Sequence, residues 1–146
     1  MSTAANIKAQ IKTYLDDLVT AGTLAEAISD DFKKGIFDRD FSAYPVAVLQ
    51  TAAIECSIKT GVQDERNYEF EIIVISKGDD VSSVTQVEDL QEAMLDKFAA
   101  VPTMNNTCEK SIPSSSAPQP IMSRGSNYIV FKFVIQAQKL KLLTFV

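Results

Sequence analysis

The chain of 146 residues contains no histidine. Its absence removes the commonest general base, the Ser-His-Asp and Cys-His arrangements, and the most frequent metal ligand together. Excess positive charge is missing too: 14 Lys and Arg stand against 19 Asp and Glu, a formal net charge of −5. With the acids scattered and no basic stripe to neutralise phosphates, sequence-specific nucleic-acid binding is not expected. No apolar run approaches the roughly 18 residues needed to span a bilayer, so no membrane partner is expected. The opening Met-Ser-Thr-Ala-Ala lacks the basic-then-apolar pattern of a secretory signal. Glycine-rich phosphate cradles, Cys-x-x-Cys pairs and Ser-x-x-Lys nucleophile motifs are absent as well. On these grounds neither catalytic residues nor a cofactor or metal are expected.

Cysteine is scarce. Cys56 falls in phase with Ile54 and Ile58 and is read as a small buried hydrophobe, whereas Cys108 lies in a polar stretch that could be exposed. Two cysteines in such different settings make no disulfide framework, which points to synthesis in a reducing cytoplasm. The length suits one domain, and at that size roughly 70% of the unfolded chain's surface is buried, enough for a two-layer core.

What the chain does contain is period-two patterning. Val46, Val48, Ala52, Ile54, Cys56 and Ile58 alternate with other residues, as do Tyr68, Phe70, Ile72 and Val74. They read as two strands of one hairpin, 46–58 and 68–75, joined by a loop over 59–67 that carries Gly61, Asp64 and Asn67. A third strand is expected over 127–138. Ile129, Phe131, Phe133, Ile135 and Ala137 share one face of it, and Tyr128, Val130, Lys132, Val134 and Gln136 the other.

Helical spacing appears twice. Ile7, Ile11, Leu15 and Leu18 describe an amphipathic helix over about 4–20, closed by Gly22 in a left-handed position. Val87, Leu90, Met94, Leu95, Phe98 and Val101 describe a second helix that lies on the sheet, starting near 84 through the capping pairs Thr85/Glu88 and Ser83/Gln86 and stopping at Pro102. Residues 23–28 fit a short strand or the start of another helix, with the strand preferred. Residues 29–44 suggest a loop pinned by Phe32, Phe37, Phe41 and Tyr44, with Pro45 holding Tyr44 extended at the strand entry.

The expected fold is α+β: a mainly antiparallel sheet of three long strands plus one or two short ones, packed against two helices. It forms a single domain over 1–146 with a long Pro/Ser loop at 102–127. The sheet's second face, with Val130 and Val134, is more apolar than a solvated face, so the first helix is expected to cover part of it and a neighbouring subunit the rest. The strands run to about 11–13 residues, reaching roughly 35–40 Å, past the needs of a small core. Ile112, Ile121 and Met122 in the loop, and Leu140, Leu142, Leu143, Phe145 and Val146 at the end, are further candidates for subunit or partner contact.

The order helix, aromatic loop ending in Tyr44-Pro45-Val-Ala-Val48, hairpin ending in Glu71-Ile-Ile-Val-Ile75, helix Val87-Glu-Asp-Leu-Gln-Glu-Ala-Met-Leu95, long loop and strand Tyr128-Ile-Val-Phe-Lys-Phe-Val134 resembles the tail terminator proteins of long-tailed bacteriophages. The likeness covers roughly residues 4–140 and rests on pattern. It implies a virion protein, made in the host cytoplasm, that forms a homo-oligomeric ring, a hexamer, on the tail tube at the tail–head junction. There it ends tube polymerisation and presents a surface to a head connector or stopper protein. The resemblance brings no catalytic residues. The Pro/Ser loop and the apolar end of the chain depart from it. Two alternatives stand beside it: another head–tail connector or neck protein, and a small metal-dependent hydrolase using Glu55, Glu69 and Glu71.

Overall fold

A computed structural model describes residues 3–29, 41, 43–50, 52–58, 63–78, 80–123 and 125–142, with backbone alone at 57, 58, 63, 141 and 142. The elements in order are α1 (Thr3–Thr20), β1 (Glu26–Ser29), β2 (Val46–Leu49), β3 (Ala53–Ile58), β4 (Gln63–Lys77), α2 (Val81–Ala99), β5 (Lys110–Ser115), β6 (Gln119–Ser123) and β7 (Ser126–Leu142). The class is α+β, and the described residues form two helices and seven strands in one mostly antiparallel sheet. Its axis is the β4–β7 ladder, which pairs without interruption from Gln63–Leu142 to Lys77–Tyr128. On the outer side of β4 lie β2 and, further along, β3; on the outer side of β7 lie β5 and β6, while β1 extends the sheet parallel to β2.

Both helices follow from local chemistry. At the end of α1, Gly22 takes φ +83°. Its N–H donates to the Val19 carbonyl and that of Thr23 to the Leu18 carbonyl, the pair of hydrogen bonds that satisfies a helix's last carbonyls. The second helix begins three residues earlier than the capping pairs suggest. Asp80 is the cap: its Oδ1 accepts from the Ser83 N–H at 2.7 Å, and hydrogen bonding from the Ser83 side chain, followed by this backbone bond, holds its carboxyl below the ordinary range. A carboxylate there outcompetes the hydroxyls of Ser83 and Thr85, because it meets the positive end of the helix dipole with full charge. The helix stops at Ala99, leaving Val101 exposed beyond it.

The expected strand 46–58 is two strands. Leu49 pairs with Ile72 but Ala53 with Glu69, so four residues on one side span three on the other: a β-bulge. The extra residue reverses the alternation. Val46 and Val48 point to one face, whereas Ile54, Cys56 and Ile58 stand at positions of the opposite face, opposite Tyr68, Arg66 and Asp64. The expected 59–67 loop is shorter, since β4 starts at Gln63.

The stretch 102–127 is not a free loop. Turns over 102–107 lead into β5 and β6, both paired to β7. A second bulge separates them, since Ser115 pairs with Phe133 and Gln119 with Val130. Ser116 closes the gap: its N–H donates to the Lys132 carbonyl at 2.8 Å and its Oγ accepts from the Lys132 N–H at 2.9 Å. Pro113 and Pro120 are tolerated because these are edge strands, on which an outward-facing position needs no N–H.

One face of the sheet carries both helices. Ile7, Ile11, Leu15 and Leu18 of α1 and Val87, Leu90, Met94 and Phe98 of α2 bury Phe70, Ile72, Val74, Ile129, Phe131, Phe133, Ile135 and Ala137, the face expected for β7. Cys108 and Met104 join this core from the turn after α2, where burial pushes the Cys108 thiol up; Cys56, out on β3, is exposed. The two cysteine expectations are thus reversed. Burial tracks what covers a strand, and β3 lies beyond the helices.

Candidate interaction surfaces

Among the described residues the second face is covered over only part of its length, and not by α1. Near β1 and β2, Val46, Val48, Ile75 and Val130 form a small buried cluster, with Ile28, Phe41, Tyr44, Ile73, Ile121 and Tyr128 packed around it. The Tyr44 ring stands 6.0 Å from Phe41 and 5.7 Å from Tyr128, with the Lys77 ammonium 5.9 Å from its centre. The aromatic loop does pin this region through Phe41 and Tyr44, the latter preceding a cis peptide to Pro45; Phe32 and Phe37 lie outside the described residues. Val130 is only 9% exposed, so it is core rather than interface, and Ile121 is half-buried against the same cluster.

Further along that face the side chains turn polar. Lys132 bridges to Glu71 at 3.1 Å, and Val134 beside them is half-buried. Ile112 on β5 is 52% exposed, and Leu140 on β7 37%. Met122 on β6 is 74% exposed but stands with Pro120 at the positions of the helix-bearing side. Leu142 ends the described ladder opposite Gln63, while Leu143, Phe145 and Val146 lie outside the described residues. Of the candidates with described side chains, Val130, Val134, Ile112, Ile121 and Leu140 stand at positions of the second face, spread along it and unequally buried, and Met122 stands on the other side.

The strand length expected to exceed the core takes the form of an arm. Tyr68 and Ala137 are the last paired residues buried beneath the helices. From there β4 and β7 continue five residues to Gln63 and Leu142, roughly 17 Å at ~3.3 Å per residue, flanked by β3 and the start of β5. Ala53, Ile54, Glu55 and Cys56 of β3 are all exposed. At its tip Asp64 is buried, 3.4 Å from the Arg66 Nε, and accepts from the Cys56 thiol at 3.7 Å, while Gln138 donates to Glu65. A hydrogen bond with Tyr68, followed by the Asp64 charge, favours the protonated Arg66 guanidinium. These contacts fix the strands against one another.

Glu55, Glu69 and Glu71, the hydrolase candidates, sit on one face of this region without converging. Glu69 is opposite Ala53, Glu55 opposite Asn67, and Glu71 is engaged by Lys132. Glu55 and Glu69 line a shallow cavity of about 340 Å³ with Asn67 and Gln136. Among the described residues no group of three or more His, Cys, Asp or Glu side chains is placed to hold a metal ion. A larger groove, about 460 Å³, lies where α1 ends: Gly22, Thr23, Pro45 and Ser76 face Gln86, Val87, Asp89, Leu90 and Ala93 of α2. Among the described residues no helix is long and apolar enough to cross a membrane.

Compared with known proteins, the chain matches no family model and has no significant match among curated sequences.

Proposed function

We propose that this chain is a structural subunit of the tail terminator type, which forms a closed homo-oligomeric ring on a phage tail tube, ends its polymerisation and offers a surface to a head connector. The observation that carries the reading is a pair of open strand edges, β3 along the arm and β5, which pairs with β7 at the base of the arm and over the core. Among the described residues neither β3 nor β5 has a strand on its outer side. β3 and β7 both run antiparallel to β4, and β5 runs antiparallel to β7, so β3 and β5 point in opposite directions. The β3 edge of one copy is therefore directed correctly to pair antiparallel with the β5 edge of the next. Such a contact is heterologous, and heterologous contacts close into rings when the rotation allows. Six subunits is the number that the family likeness implies. Sedimentation velocity of the protein, alone and with isolated tail tubes, tests the reading. A closed oligomer in either condition is the expected result, and a strict monomer at high concentration in both would refute it.

A further inference from the structure

The open edges of the sheet come in two pairs. Among the described residues β1 and β3 bound one side of it, and β5 and β6 the other. The ladders fix the height of each edge, counted by the β4 residue it lies level with. β3 is level with 64–69, and β1, through β2, with 72–75. On the other side β5, through β7, is level with 67–72, and β6 with 75–79 when the count is carried two residues past Lys77. Both edges of the second side thus lie three to four residues higher than their counterparts. Directions match as well: β1 and β3 run against β4, while β5 and β6 run with it, so β1 can meet β6 antiparallel just as β3 can meet β5.

A neighbour can use both edges only at certain staggers. Residues paired across an antiparallel ladder point to the same face, so the stagger must be an even number of residues if the helix-bearing faces are to continue from copy to copy. With no stagger β3 faces β5 over three residues and β1 faces β6 over one; with two the overlaps are five and three, with four they are five and four, and with six they fall to three and two. Side chains separate two from four. At four, Ile28 stands opposite Ile121 of the next copy, both already flanking the small apolar cluster, and Ala27 stands opposite Met122, which is otherwise 74% exposed. At two, Glu26 would face Ile121, and Met122 would face no residue of β1.

Ring geometry makes the same choice. Four residues rise ~13 Å across four strands ~19 Å wide at the arm end, so the strands of a closed ring lean roughly 35° from its axis, within the ~35–45° usual for closed sheets. A stagger of two gives only roughly 20°. The other end, with β1, β2, β4, β7 and β6, is one strand wider, which flares the ring toward the core. Pro113 and Pro120 each remove an N–H from their edge strands, which blunts pairing with any single stray strand and favours a partner that matches both edges.

We infer that adjacent copies join along both edges at a stagger of four residues, β3 to β5 and β1 to β6, so that the helix-bearing faces form one continuous layer. This rests on the ring reading and specifies the contact that holds the ring.

Disulfide trapping in the full chain tests it. At this stagger Glu55 lies opposite Ser114 and Ala27 opposite Met122, within the ~4.4–6.8 Å between Cα atoms that a disulfide bridges, whereas Glu55 and Ile112 lie a diagonal ~7–8 Å apart. In a Cys56→Ser background, which removes the exposed thiol, three double variants are oxidised mildly, with and without isolated tail tubes, and resolved on non-reducing gels: Glu55→Cys with Ser114→Cys, Ala27→Cys with Met122→Cys, and Glu55→Cys with Ile112→Cys. Sedimentation velocity is run on each before oxidation. The expected result is chain-to-chain disulfides from the first two, each at least tenfold above the third. Cross-links from only one of the first two, or a third pair equal to the first, would overturn the inference, because the stagger is defined by both edges together. An oligomer that yields none of these disulfides would overturn it too and leave the ring reading standing. A monomer under all conditions, tail tubes included, would overturn both.

Discussion

Val130 and Val134 occupy the same face of β7 and are indistinguishable by period, yet the structure assigns them different work. Val130 is packed against Val46, Val48 and Ile75, while Val134 is half-buried where the face opens. Truncation to alanine separates them. Val→Ala removes the equivalent of two methylenes, about 1.6 kcal/mol of transfer free energy when fully buried. At Val130 a cavity remains among three other β-branched side chains, and at ~24 cal/mol per Å³ a partly collapsed void adds roughly 1 kcal/mol. Val130→Ala should therefore cost about 2–3 kcal/mol, which for a chain of this size lowers Tm by roughly 5–10 °C. Val134→Ala forfeits about half the transfer free energy and encloses no void, so under about 1 kcal/mol is expected. Urea unfolding at low micromolar concentration, with sedimentation velocity on the same samples, reads both effects. The reasoning fails if the two variants lose equal stability, or if Val130→Ala folds like the parent and only association suffers.

Asp80→Ala should lower Tm at pH 7 by removing the cap of α2. Because the folded-state pKa of Asp80 is depressed, its contribution is fully present above the unfolded value near 3.8 and fades as pH falls through the folded value; the gap between variant and parent should close in that acidic window, as thermal melts across pH 2–7 will reveal. Gly78→Ala should cost about 1–3 kcal/mol, since φ is +118° there and a Cβ would sit 2.4 Å from the Ser83 Oγ; chemical denaturation gives the number, and a neutral result would mean the turn before α2 relaxes freely. Of the two thiols, Cys56 should react at once with a thiol reagent in native protein and Cys108 only on unfolding; mass spectrometry of the labelled peptides distinguishes them.

The parts of the fold that depend on near neighbours in sequence were legible. The spacing of Ile7, Ile11, Leu15 and Leu18 marks α1 because a helix brings such residues together whatever lies around it. Alternation from Ile129 to Ala137 marks the buried face of β7 for the same reason. The start of α2 lies three residues before the position the capping pairs suggest, because Asp80, Ser83 and Thr85 all offer caps within six residues and only the competition among them decides. For residues 102–127, composition suggested a loop, but edge strands need few apolar side chains and tolerate proline, so β5 and β6 leave almost no trace in hydropathy.

The candidate surfaces were less legible, and the bulge between β2 and β3 shows why. Period two states which residues share a face only while the register is unbroken. One extra residue near Gln50, whose N–H still reaches the Glu71 carbonyl at 2.9 Å, moves Ile54 and Cys56 from the face of Val46 and Val48 to the other. Nor does alternation say how far along a strand its cover extends. Val130 is sealed by Phe41, Tyr44 and Tyr128, two of which come from 84 or more residues earlier in the chain, so no local pattern around β7 could separate it from Val134. Strand length was the one signal that did point outward. A ladder of 15 pairs exceeds what two helices of 18 and 19 residues cover when they lie across it, and the surplus is the arm. An uncovered strand edge in such a surplus is an aggregation hazard unless a defined partner takes it. That physical demand, more than any single side chain, is why the arm carries the assembly reading.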